Sequence, residues 1–120
     1  MSTRLYAKRH ATPLQEWLTG LTASCEKAVA SKRLVNAEYP GPGEIDCLEF
    51  QCEVLYELES RACLVHHKNL LSHDGFREIR RFLQAVDNLD HKSTNELSWP
   101  AVLRSARTVL NLRAHLTANH

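Results

Sequence analysis

The chain has 120 residues, 43% of them apolar and 24% charged, with 15 Lys and Arg against 14 Asp and Glu for a formal net charge of +1. That length supports one domain with its own core, and that composition goes with a folded chain rather than a disordered one. A net charge so near zero excludes a generally basic nucleic-acid coat, and the lack of a long uncharged run excludes a transmembrane helix. Met1 to His10 carries Arg4, Lys8 and Arg9 with no apolar stretch behind them, so it does not read as a secretory signal. The protein is therefore expected inside the cell. There Cys25, Cys47, Cys52 and Cys63 stay reduced and pack as small hydrophobes.

Apolar residues recur at helical spacing along nearly the whole chain. Thr12 as N-cap and Pro13 in the first turn predict a helix over 13–36. Its stripe is Leu14, Leu18, Leu21, Cys25, Ala28 and Val35. Tyr39-Pro40-Gly41-Pro42-Gly43 ends it, because two prolines remove donors and two glycines add freedom. A second helix is predicted over 44–71, with Ile45, Leu48, Cys52, Leu55, Leu58, Ala62 and Val65 as one wide stripe and Phe50, Val54 and Leu64 off that line. Apolar residues on more than one face suggest a central helix, or burial of Phe50, Val54 and Leu70 against another chain.

Ser72-His73-Asp74-Gly75 breaks the pattern and caps a third helix over 75–89, whose core residues are Phe76, Ile79, Leu83 and Val86. Asp90 to Leu97 reads as a polar loop, and Ser98 caps a fourth helix over 99–117 with Pro100 in its first turn. Four helices with short connections predict an all-α fold, an up-down antiparallel four-helix bundle.

Charge is unevenly placed. Residues 1–60 balance to −3 and residues 61–120 to +4. Glu49, Glu53 and Glu57 repeat at four-residue spacing within a segment that has six acids and no base, so they repel one another by a few tenths of a kcal/mol each. A basic partner, or a basic face of the same fold, would relieve that repulsion. The basic counterpart is Arg61, Lys68, Arg77, Arg80 and Arg81, beside His66, His67 and His73, a set able to hold phosphates.

Catalytic patterns are thin. The glycines are scattered, so no phosphate loop forms. Cys63 with His66 or His67 shares a helix face at three- and four-residue steps, which suits zinc, but a fourth ligand must come from elsewhere. The same pair lacks free backbone N–H groups for nucleophilic catalysis. No metal and no cofactor is expected.

The stretch from Glu57 to His73 resembles the signature helix of the Nepro family, nucleolar proteins related to the RNase MRP-specific protein subunit. In that family a leucine-rich helix with a Glu leads into Lys-Asn-x-x-x-His, matched here by Lys68, Asn69 and His73. An aromatic and basic helix follows, matched by Phe76, Arg77, Arg80 and Arg81. The chain departs from the pattern at Leu70 and Leu71 inside the motif and at Asp74 after it. The resemblance implies an all-helical, RNA-associated subunit of an RNase MRP-like particle acting in pre-rRNA processing, nuclear or nucleolar. Lys68, Asn69, His73, Arg77, Arg80 and Arg81 would then contact structured RNA or another protein. The alternative is a small adaptor that binds protein alone through Glu49, Glu53 and Glu57. Both readings are non-enzymatic.

Overall fold

The computed structural model describes residues 12–36, 38–89 and 98–118, and the described chain is mostly helical. Helix α1 spans Leu14–Ala30. Its cap is Pro13 rather than the expected Thr12. Pro13 has extended backbone (φ −52°, ψ 145°), and its carbonyl accepts from the Trp17 N–H at 3.0 Å. A missing N–H is harmless at that position, where no intrahelical partner exists.

The helix stops at Ala30, short of the expected Asn36. Ser31 turns extended (ψ 137°), while its N–H and hydroxyl both return to the Lys27 carbonyl. Arg33–Val35 then forms strand β1, paired in parallel with strand β2, Glu44–Asp46, in the register Leu34↔Ile45. Leu34, Val35 and Ile45 are all buried. The Pro/Gly segment between them cannot propagate a helix, and the short apolar runs on either side reach the core as extended chain instead. The chain is mostly helical, as expected, and this short ladder is the part that the helical periodicity did not announce.

The predicted helix over 44–71 is also divided. After β2 comes α2, Cys47–Cys52, whose Asp46 cap accepts from the Glu49 N–H at 3.0 Å. A π-helical turn follows at Glu53–Glu57, then a left-handed residue at Glu59 (φ 49°, ψ 45°). Helix α3 spans Ser60–His66 and passes into a 3-10 turn at Lys68–Leu70. These pieces stand in place of the second helix of the expected up-down bundle.

The break re-registers the side chains. A π turn carries an extra residue per turn and rotates everything after it. Downstream of it Leu64, off the expected stripe, is buried, whereas Val65, expected inside, is 72% exposed; ahead of it Phe50 is buried and Leu48 is exposed, and Val54 within it is buried. The broad apolar spread marks a break, not a central helix. Buried Ser60 donates its hydroxyl to the Val54 carbonyl, so a backbone acceptor at the break keeps a partner. Gly20 of α1 lies against the break, where a β-carbon would meet Leu58 Cδ2 at 2.7 Å.

Helix α4 spans His73–Asp87, and Ser72 caps it by accepting from the Gly75 N–H at 2.9 Å. Helix α5 spans Trp99–Asn111, with Pro100 in its first turn as expected, and ends in a 3-10 turn at Arg113–His115. The expected loop over 90–97 lies outside the described residues. One apolar cluster joins the elements, with Trp17, Leu21 and Cys25 of α1, Phe50 of α2, Ile79, Phe82 and Val86 of α4, and Val102, Ala106 and Val109 of α5. Phe50 meets Trp99 edge-on at 5.8 Å. Buried Gln51 donates its amide to the Val86 and Leu89 carbonyls at 2.9 and 3.0 Å, adding to the bond that Val86 already accepts from the Leu89 N–H at the end of α4. An antiparallel bridge pairs Leu71 with Thr117, flanked by Ser72 N–H to the Leu116 carbonyl at 2.7 Å and Ala118 N–H to the Leu70 carbonyl at 2.8 Å.

Glu59 is the one described non-glycine residue with positive φ. Glu59→Gly is expected to raise stability by about 1 kcal/mol, since glycine holds this conformation without a β-carbon clash. Urea denaturation of the two proteins checks it, and a loss on substitution would overturn the assignment of strain to this residue.

Candidate functional site

Helices α3 and α4 run antiparallel and leave an open groove between them. Arg61 in the first turn of α3 forms an ion pair with Asp87 at the end of α4. At the other end, the Lys68 ammonium lies 5.7 Å from the centre of the Phe76 ring in the first turns of α4. Between these clasps the groove encloses about 540 Å³. Leu64, Val65, Phe76 and Leu83 supply its apolar surface, and Arg80, Gln84 and Asn88 its polar edge. Val65 is exposed and Phe76 half-buried, so the apolar surface is open to solvent.

The six residues expected to bind RNA or a partner do not act as one cluster. All are exposed. Arg77 is paired with Asp74 at 3.0 Å and with Glu78 at 3.2 Å, and Arg81 reaches Glu78 at 3.3 Å. Glu78 is buried and sits between them on the side of α4 that faces α5, next to Arg104 and Ser105. Arg80 lies on the opposite flank, in the α3–α4 groove, with no ion pair among the described residues. Lys68 is on the same flank through Phe76. His73 faces a separate hollow near Ser72, His115 and Thr117. Helical geometry explains the split, because positions 78 and 80 are about 160° apart around the axis, so Arg80 points away from the Glu78 side.

The acidic face is relieved within the fold. Glu49, Glu53 and Glu57 line one shallow hollow together with Cys52 and Lys27 of α1, and Lys27 Nζ is 3.2 Å from Glu53 Oε1. That pair is exposed, so it contributes at most about 1 kcal/mol, but it lowers the repulsion expected from three glutamates alone.

The Cys63 and histidine set is taken apart. Cys63 is buried and directs its thiol at the Leu58 carbonyl, 3.7 Å away. His67 is buried against Trp17, with ring centres 5.9 Å apart, and its Nε2 is 2.6 Å from the Thr12 carbonyl. A carbonyl only accepts, so Nε2 carries the proton. Its buried Nδ1 has no partner among the described residues. Thr12 thus fastens the approach to α1 onto the end of α3, a task its sequence position as a cap did not suggest. No group of three or more His, Cys, Asp or Glu side chains among the described residues is placed to hold a metal ion.

The buried thiols are poor nucleophiles. Burial pushes Cys25 up from an ordinary 9.0 to about 12, with Arg113 opposing and Glu26 adding to the rise. Burial likewise raises Cys63, against hydrogen bonding from Thr12. The half-buried Cys52 is the more open thiol.

Sequence reasoning missed Val65, Gln84 and Asn88 as groove residues and Glu78 as the buried partner of two arginines. Glu78 had a signal, since it is the acid enclosed by Arg77, Arg80 and Arg81. Val65 had none, because its exposure follows from the break upstream. Compared with known proteins, the chain matches no family model, no curated protein and no solved structure.

Because Cys25 keeps its proton when folded, the stability tied to the neutral thiol is whole below pH 9 and is lost as pH rises toward 12. Between pH 9 and 11, wild-type stability is expected to fall more steeply than that of Cys25→Ala, by at most about 1.4 kcal/mol per pH unit. Urea denaturation across that range checks it, and parallel profiles would refute it.

Proposed function

We propose that this chain is a non-enzymatic interaction protein, built on a bundle of helices, that binds another protein through the α3–α4 groove. The carrying observation is Val65, 72% exposed on a structured helix beside half-buried Phe76 and flanked by charged residues. An open apolar strip with a polar rim is the usual anatomy of a protein-binding surface. Burial of the Cys25 and Cys63 thiols supports the non-enzymatic reading, since the thiolate and not the thiol is the nucleophile. The Lys27–Glu53 pair favours the groove over the acidic Glu49, Glu53 and Glu57 face as the main contact.

A second reading is favoured by one observation: Lys68 and Arg80 are exposed cations without a carboxylate among the described residues. Together with the resemblance of Lys68, Asn69 and His73 to the Nepro motif, this supports an RNA-associated subunit of an RNase MRP-like ribonucleoprotein. The ion pairs of Arg61, Arg77 and Arg81 weigh against it, because neutralised arginines release fewer phosphate counterions.

Affinity purification with wild type and with Val65→Asp, with and without nuclease, separates the two. The protein reading expects a stoichiometric partner that survives nuclease and falls at least tenfold with Val65→Asp. The RNA reading expects nuclease-sensitive recovery and, in filter binding, affinity for structured RNA that drops steeply with salt and after Arg77→Ala with Arg80→Ala. Recovery that ignores Val65→Asp would overturn the groove.

A further inference from the structure

We infer that the groove takes an acidic amphipathic helix of a partner protein, one that seats two or three apolar side chains against Leu64, Val65, Phe76 and Leu83 and sets carboxylates against Arg80 and Lys68. The inference rests on the protein-binding reading above and names the chemistry of the occupant.

Three observations carry it. The first is the backbone of the walls. Both are helices, so neither presents a strand edge along the groove. An extended segment laid in the groove would find no strand edge and would leave its own polar groups unpaired. A helix arrives with those groups already satisfied. The second is length. From Phe76 to Asp87 the α4 wall runs roughly 16 Å at 1.5 Å per residue, which matches about three helical turns of a partner. Apolar anchors at positions i, i+3 or i+4, and i+7 would lie along it. The third is charge. Arg61 is already engaged by Asp87, which closes one end of the groove. Arg80, midway along, and Lys68, at the far end, are the cations left to face an incoming segment. Both meet carboxylates at the margin of an apolar strip, where charge sets specificity and association rate more than affinity. The strip is small, so binding in the micromolar range is expected.

The test is selection of a library of randomised 16-residue peptides displayed on phage against the full-length protein, followed by fluorescence anisotropy of the enriched peptides. Both altered residues are exposed, and circular dichroism melts of each variant check that the fold is kept. The expected result is enrichment of net-acidic sequences with apolar residues at helical spacing. Their binding should weaken at least tenfold with Arg80→Glu and disappear with Val65→Asp. Enriched peptides that are basic, or Pro-rich and extended, yet lost with Val65→Asp would overturn the occupant while leaving the groove standing. Peptides indifferent to Val65→Asp, or no enrichment at all, would overturn the groove as well. Self-association of the wild type that Val65→Asp abolishes would instead assign the groove to a second copy of this chain.

Discussion

The architecture depends on the interruption at Glu53–Glu59. A straight helix through this region would set Cys63 about 140° from Phe50 and would turn Val65 toward the face that Phe50 and Val54 bury. The π turn and the left-handed Glu59 rotate the second half so that all four reach the core. The cost is a backbone acceptor with no helical partner and one residue in a sparsely populated conformation. Ser60 meets the first by donating to Val54, and Gly20 gives the space in which α1 can close over the kink. The same rotation turns Val65 outward and sets α3 beside α4. The groove is therefore a consequence of how the core is filled.

Electrostatics follows the same logic. The near-zero net charge conceals an acidic first half and a basic second half, and the fold pairs charges both within and between them. Lys27 meets Glu53, Arg61 meets Asp87, and Arg113 reaches Glu26 at 2.9 Å. Exposed pairs like these add little stability singly. What they do is decide which charges remain for a partner. Sequence clustering put Arg77, Arg80 and Arg81 together, but Glu78 claims two of them and turns them toward α5.

Parts of the fold were legible in the sequence for clear physical reasons. Helix α4 shows a clean stripe and a Ser cap, and Ile79, Leu83 and Val86 are buried where the period puts them, while Phe76 is only half-buried at the groove. Helix α5 is similar, with Val102, Ala106 and Val109 inside. The strands were not legible, because Leu34-Val35 continues the helical spacing of α1 and the partner Ile45 lies across the Pro/Gly segment. Nor was the break, since a π turn replaces one helical hydrogen bond with another and has no turn residue to announce it. Lys68 and Arg80 are exposed. The site as a surface was out of reach, for it needs α3 and α4 as separate walls and Val65 facing out.

The bridge between Leu71 and Thr117 adds a difference between those walls. It clasps the chain on either side of α4 and α5, and Gly75 admits the crossing so closely that a β-carbon there would stand 2.5 Å from the Leu116 oxygen. Helices α4 and α5 are tied by this clasp and by their shared core. Helix α3 lies outside the clasp and is only seven residues long. The groove thus has one wall of fifteen residues held at the clasp and one of seven that is anchored through Cys63 and Leu64.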